Sequence, residues 1–323
     1  MRKSQELSEV YERSDRVAFD DQSKLIFFSD VHRGDNSWAD EFAPNQAIYT
    51  YALEYYLHAG FTYLEVGDGD ELMKNRDVGC LRKAHASVYQ ILQKFYARGR
   101  LYYLFGNHDL QYRDRNFALR ALDARDLPYQ IGREPLFPGI EVHEGLVLVH
   151  QESGGEIFVT HGHQGEWLNT RFWKLSRFLL RRLWRPLQLL GIHNPFQVSN
   201  NPDIQQKIEL EFRQWIVEND RPLLCGHTHR AHFSFSGDIP YFNTGSCIHP
   251  RWITGIEIDE GNIQLVRWRV KPGPRGELVI HREIVSGPER VGAYFSSPPD
   301  DHQSPLLVEA PSRHSSVLEN AQA

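Results

Sequence analysis

The sequence predicts an α/β fold in which two sheets pack together between flanking helices, and three observations carry that prediction. Short apolar runs alternate with helical stretches over the first hundred residues, the pattern of a layered sheet with largely parallel pairing. After about residue 140 the runs become short and closely spaced, divided by Gly, Asp and Asn, which suits a second sheet. The chain has 323 residues, 41% of them hydrophobic, enough for one large domain with an insertion or for two modest ones.

Taken in order, residues 1–23 read as a polar lead-in with at most a short helix. Leu25 to Phe28 is the first strand-like run. A helix is expected over 44–59, with Pro44 in its first turn and Gly60 just past its end. Phe61 to Val66 is the second run; a helix over 81–98, closed by Gly99, leads to the third, Leu101 to Phe105. Leu146–Val149 and Ile157–Thr160 flank a glycine-containing turn and read as a hairpin. Arg221–Cys225, Ala231–Ser236, Tyr241–Thr244, Thr254–Ile258 and Ile263–Val270 follow as short strands. Two helical patterns interrupt this series over 164–220. From about 286 a Ser/Pro/Asp-rich stretch reads as a disordered tail.

Composition removes several functions. Lys and Arg total 36 against 42 Asp and Glu, a formal charge of −6, which argues against a dedicated nucleic-acid binder. Three cysteines with no CxxC pair cannot make a disulfide framework, so a reducing cytoplasm is expected. The start of the chain is charged and lacks the apolar stretch of a signal peptide, and no run approaches the ~20 apolar residues of a membrane span. Histidine stands out instead, with sixteen copies. It is a frequent metal ligand and general acid.

Their placement is ordered. The first run ends in Asp30-Val31-His32, the second in Gly67-Asp68-Gly69-Asp70-Glu71, and the third in Gly106-Asn107-His108-Asp109. The hairpin ends in His161-Gly162-His163 and the strand at 221–225 in Gly226-His227-Thr228-His229. Loops at the carboxyl ends of strands converge in α/β sheets, and donors one residue apart near a strand end share a face. A lone pair of this kind is common; five clusters in succession, each after a strand-like run, point to a metal centre.

This succession of DxH, GDxx(D/E), GNH(D/E), a later HGH and GHxH resembles the calcineurin-like metallophosphoesterase superfamily over residues 24–250. The resemblance implies a four-layer α/β/β/α sandwich, with 24–285 as the catalytic domain. It also implies two divalent cations, manganese first, with iron or zinc as alternatives. Asp68 would bridge them, Asp30, His32 and His229 would complete one site, and Asn107, His161 and His227 the other. Hydroxide generated between the ions would attack phosphorus in a phosphate ester or pyrophosphate. His108 would protonate the leaving oxygen and Asp109 would orient it, unless Asp109 is only a helix-start carboxylate. Arg33 would reach a substrate phosphate or pair with Asp35. His163 would support a bound group or be a plain polar residue at the strand end.

Within the insertion, residues 168–185 hold Arg171, Lys174, Arg177, Arg181, Arg182 and Arg185 on one helical arc, with seven apolar residues opposite. Three readings are open: packing on the core, a lid over a phosphate or acyl chain, and a face lying on a membrane surface. A lid in this position is similar to that of the UDP-2,3-diacylglucosamine pyrophosphohydrolases, although those have GNRD where this chain has GNHD. The expected partner is therefore a phosphorylated small molecule or lipid-linked nucleotide. A nuclease and a non-catalytic scaffold are the lesser alternatives.

Overall fold

Two mixed sheets and three apolar cores organise the chain in a computed structural model, which describes residues 2–75, 77–122, 135–165 and 201–295. The first sheet has seven strands. Its parallel half comprises β2 (Leu25–Phe28), β3 (Thr62–Val66), β4 (Leu101–Leu104) and β5 (Val142–His143). Antiparallel strands β11 (Trp252–Asp259), β12 (Asn262–Pro272) and β13 (Leu278–Arg290) extend it beyond β2. The second sheet has six strands, ordered β1 (Asp15–Phe19), β6 (Gly145–His150), β7 (Glu156–Thr160), β8 (Leu223–Cys225), β10 (Tyr241–Asn243) and β9 (His232–Phe233). There β6 and β7 form the expected antiparallel hairpin, while β7, β8 and β10 run parallel.

Burial separates the layers. β2 is LIFF, buried at every position, because its two faces serve two cores. Ile26 and Phe28 point outward onto α2 (Gln46–His58) and α4 (Ala86–Tyr96), joining Tyr49, Leu53, Tyr56, Leu92 and Phe95. Leu25 and Phe27 point inward and meet Leu146, Leu148, Val159 and Leu224 of the other sheet. A third core sets Leu7, Val10 and Tyr11 of α1 (Arg2–Arg13) against Phe158 and against Phe212 and Trp215 of α6 (Pro202–Asn219). The result is the α/β/β/α order that was expected.

Several boundaries differ from expectation. Residues 1–23 are not a polar lead-in: α1 buries its apolar stripe on the second sheet and β1 pairs in parallel with β6. The helix expected over 81–98 is two helices, α3 (Val78–Ala84) and α4, divided at His85; Asp77 caps α3 by accepting from the Gly79 N–H at 2.8 Å. α5 (Arg115–Leu122) and the strands β5 and β13 were not anticipated. β13 runs through position 286, and Val291 beyond it is buried, so the tail cannot begin there. In the insertion, α6 is part of the third core. Asn201 caps it and Pro202 occupies its first turn. The basic stretch 168–185 and the tail beyond 295 lie outside the described residues.

Candidate metal centre

Every loop that bears a predicted ligand leaves the carboxyl end of a strand. Asp30 and His32 follow β2, Asp68 follows β3, and Asn107 and His108 follow β4. His161 follows β7, while His227 and His229 follow β8, so the two sheets contribute from opposite sides. Backbone bonds stitch the loops together. Asp30, His32 and Arg33 donate N–H groups to the carbonyls of Gly67, Asp68 and Gly69, and Cys247 donates to Asp30.

Five of the seven predicted ligands, Asp30, His32, Asp68, His227 and His229, have φ between 51° and 68°. Such left-handed backbone costs non-glycine residues of order 1–3 kcal/mol and persists only where the surrounding structure enforces it. Two glycines make room for the convergence. At Gly67 (φ 82°) a Cβ would lie 2.6 Å from the His161 ring, and at Gly106 it would overlap Asp68 Oδ1 and come within 2.7 Å of His161 Cδ2.

One oxygen of each central carboxylate is already engaged. Asp30 Oδ2 accepts from the Ser29 hydroxyl and from the His227 N–H, the latter at 2.9 Å; Asp68 Oδ1 accepts from the His108 N–H at 2.7 Å. The other oxygens face imidazoles. Asp30 Oδ1 lies 3.0 Å from His229 Nε2, 3.8 Å from His32 Nε2 and 4.0 Å from His161 Nε2, and it is buried without a hydrogen bond. Asp68 Oδ2 lies 3.2 Å from His161 Nε2 and 3.8 Å from His32 Nε2, between histidines expected on different ions. Asn107 Oδ1 is 3.3 Å from His161 Nε2, and the His227 ring centroid is 5.2 Å from that of His161. His161 Nδ1 sits 2.9 Å from the Val66 carbonyl and donates to it, which aims Nε2 at the carboxylates.

This donor set fits divalent cations. Among the described residues, three groups place one potential ligand atom per residue within 4.8 Å of each other: Asp30 with His32 and His229, Asp30 with Asp68 and His161, and His32 with Glu71 and His108. Imidazole and carboxylate without thiolate suit manganese, iron or zinc. The electrostatics agree, since the cluster draws positive charge. Burial alone would lower the His161 imidazole, yet Asp68 and Asp30 hold it at about 10; the Asp68 carboxyl is pulled well below its usual range by His161 and His108 in spite of burial.

The structure reassigns two of the expected roles. Asp109 does not orient His108. It is fully buried, and its carboxylate accepts from the N–H groups of Gly106 at 2.6 Å, Gly69 at 2.9 Å and Asp70 at 3.3 Å, clamping two ligand loops to each other. Adjacent residues point apart, and the group that reaches His108 is Glu71, whose carboxylate oxygens lie 2.9 and 3.0 Å from His108 Nδ1. Burial would lower the His108 imidazole, but Glu71 and Asp68 hold it at about 9. Glu71 is the residue that sequence reasoning passed over, although its place three positions after Asp68 in an acidic run was a usable signal.

Arg33 neither lines the surface nor reaches toward a phosphate. It is completely buried, forks onto Glu65, and reaches Asp70 Oδ1 at 2.8 Å and the Tyr103 hydroxyl at 3.0 Å. Tyr63 donates to Glu65, and Tyr89 and Tyr112 donate to Asp70 at 2.5 Å each. Arg33 follows His32 and Asp70 precedes Glu71, so this ion triad anchors both loops from below. His163 is buried too, its ring centroid 5.6 Å from that of His161.

Among the described residues no helix is long and apolar enough to cross a membrane. Comparison with solved structures gives distant similarities. Vps29 of Chaetomium thermophilum is 12% identical with a TM-score of 0.37, covering 82% of this chain and 96% of that one. A mutant form of a cold-active protein tyrosine phosphatase is 15% identical with a TM-score of 0.36, covering 83% and 82%. A Staphylococcus aureus protein assigned as a 5′-nucleotidase, in complex with alpha-ketoglutarate, is 15% identical with a TM-score of 0.33, covering 86% and 56%. Comparison with curated proteins gave no match. The family described as calcineurin-like phosphoesterase matches residues 23–231, which is most of the chain and every ligand loop. With that span and the converging carboxylates and imidazoles, the chain belongs to the calcineurin-like phosphoesterase family and is a phosphoester hydrolase.

Proposed function

We propose that the chain cleaves a phosphate ester or pyrophosphate at a dinuclear centre held by Asp30, His32, Asp68, Asn107, His161, His227 and His229, with His108 as general acid. The observation that carries this reading is the pair of inward oxygens, Asp30 Oδ1 and Asp68 Oδ2, each facing two or more imidazole Nε2 atoms within about 4 Å. Bound there, divalent cations would supply Lewis acidity, lowering the pKa of an attacking water and neutralising charge on the phosphoryl oxygens. The protein's part is positional. Backbone N–H groups and the Val66 carbonyl fix each donor before substrate arrives, so no reorganisation is needed at the moment of reaction.

Glu71 holds His108 by Nδ1 and leaves Nε2 to face a leaving oxygen. Against the effect of burial, the Glu71 carboxylate at Nδ1 raises the imidazole above its ordinary value, which favours the protonated form an acid needs. The cytoplasm is the compartment we infer, supported by three free cysteines, two of them buried. The substrate we infer is a phosphorylated small molecule or a lipid-linked nucleotide.

The test pairs metal analysis with a substrate panel of nitrophenyl phosphate, bis-nitrophenyl phosphate and a nucleotide-diphosphate sugar, assayed with manganese. Asp68→Ala should lose bound metal and turnover together. Full activity in that variant, or wild-type protein that binds no metal and cleaves nothing, would refute the reading.

A further inference from the structure

The inner face of β11, β12 and β13 changes character along its length. At one end Ile256, Ile258, Ile263 and Leu265 close the space between the sheets. Alternation keeps the same face for Trp252 and Thr254, for Arg267, Arg269 and Lys271, and for Glu283. The register sets Trp252 beside Arg269, Thr254 beside Arg267, and Arg267 beside Glu283. This upper part forms an open shelf, with side-chain exposures of 27% at Arg267, 35% at Arg269 and 33% at Lys271.

Charge on the shelf is unbalanced. Three cations share one carboxylate: Glu283 lies 2.5 Å from Arg267, 3.0 Å from Arg269 and 2.6 Å from Lys271. Burial would raise that carboxyl, but the three cations hold it at about 2, so two positive charges remain in surplus in a chain of net charge −6. The shelf is also stiff. The Trp252 ring stacks on His249 at 3.6 Å, and the Arg267 guanidinium lies 5.2 Å from the Trp252 centroid.

Its position is beside the metal loops. β11 pairs with β2 through Ile256–Phe27 and Ile258–Leu25, so Thr254 and Trp252 run past the end of β2 alongside the loop that begins at Asp30. The Thr254 N–H donates to Ser246 at 3.3 Å. A Cβ on Gly245 would overlap Thr254 and come within 2.9 Å of Ala231, two residues after His229. With strands ~4.8 Å apart, β12 lies about 10 Å from β2, and Glu283 of β13, which the three cations reach, lies one strand farther out.

We propose that this shelf is a subsite for a second phosphate of the substrate, the one that is not cleaved. Guanidinium pairs recognise phosphate by bidentate hydrogen bonds, and the surplus charge selects nucleoside bisphosphates and similar doubly phosphorylated small molecules over simple monoesters. The assignment rests on the reading above that the metal loops hold the scissile phosphate.

The full-length, manganese-loaded protein is assayed on nitrophenyl phosphate with adenosine 3′,5′-bisphosphate or adenosine 5′-monophosphate as competitor. Calorimetry measures binding of both nucleotides directly. Wild type should prefer the bisphosphate, and the combined Arg269→Gln and Lys271→Gln variant should shrink that preference about tenfold, ~1.4 kcal/mol. Glu283→Gln should enlarge it, a change in the opposite direction that a damaged fold would not produce. Rising salt should erode the preference in wild type more than in the double variant. An unchanged ratio of the two affinities in both variants overturns the subsite. Absence of nitrophenyl phosphate hydrolysis together with a charge-dependent bisphosphate preference would remove the catalytic reading and keep the shelf.

Discussion

Replacing Arg33 by Met tests whether the ligand loops stand on a buried ion triad. The side chain donates twice to Glu65, once to Asp70 and once to Tyr103, all at zero solvent exposure. At ~1.5–3 kcal/mol per charge-assisted bond, four bonds would total ~6–12 kcal/mol. That sum overshoots, because folding also had to strip water from Arg33 itself, and because tyrosine hydroxyls continue to serve both carboxylates. What remains is the cost of two buried acids without their cation, and breaking one buried pair costs ~3–5 kcal/mol. We therefore expect Arg33→Met to lose about 3–5 kcal/mol in urea unfolding, and Arg33→Lys to lose part of that because the fork is gone. Arg13→Met, which breaks an exposed pair with Glu144, serves as the control and should lose at most ~1 kcal/mol. Because His32 and Glu71 flank the triad, manganese affinity should fall along with stability. A loss under ~1 kcal/mol with unchanged metal affinity would refute the argument.

Three further outcomes follow from the geometry. His108→Ala should slow alkyl phosphate esters by roughly 10²–10⁴-fold while sparing nitrophenyl esters, whose leaving groups need no proton; equal losses on both would remove the acid role. Gly106→Ala should lower metal content, since its methyl group would overlap Asp68 Oδ1, and an unaltered metal stoichiometry would contradict the crowding. His232 accepts from Arg213 at 3.0 Å, and burial, Arg213 and Arg230 depress it from 6.5 to about 4. Above pH 6.5 it is neutral whether the chain is folded or not, so it adds no pH dependence there. As pH falls from about 6.5 to 4 the unfolded chain takes up the proton first and stability declines. His232→Gln should flatten that part of the stability–pH curve.

The convergence of these carboxylates and imidazoles was legible because metal chemistry restricts residue types, and because the loops leave parallel strands whose apolar runs are continuous. Arg33 was not readable in that way. Its carboxylate partners stand 32 and 37 positions away, so locally it is only a charged residue beside a ligand. Asp109 misled for the opposite reason: adjacency in sequence suggested contact with His108, which Glu71 makes from 37 positions away. Strand β1, DRVAF, is mostly exposed and therefore lacks the apolar run that marked β2. β13 escaped notice because an edge strand needs neither a continuous nor an alternating apolar face, and its residues are mainly exposed or half-exposed.

The origin of the ligands has a mechanical consequence. Asp30, His32, Asp68 and Asn107 follow strands of one sheet, His161, His227 and His229 strands of the other, and these faces are joined by an apolar layer and by hydrogen bonds such as His227 N–H to Asp30 and His161 Nδ1 to the Val66 carbonyl. Ions held by both sets, as proposed above, would act as rivets across that seam. Any opening that parts the sheets would then have to eject them, so loading should raise the unfolding free energy by RT ln(1 + [metal]/Kd), about 4 kcal/mol at a thousandfold excess over Kd. Chelation would then weaken the molecule at its midplane, leaving each sheet with its own helices, and amide exchange should quicken first in β2, β3, β7 and β8.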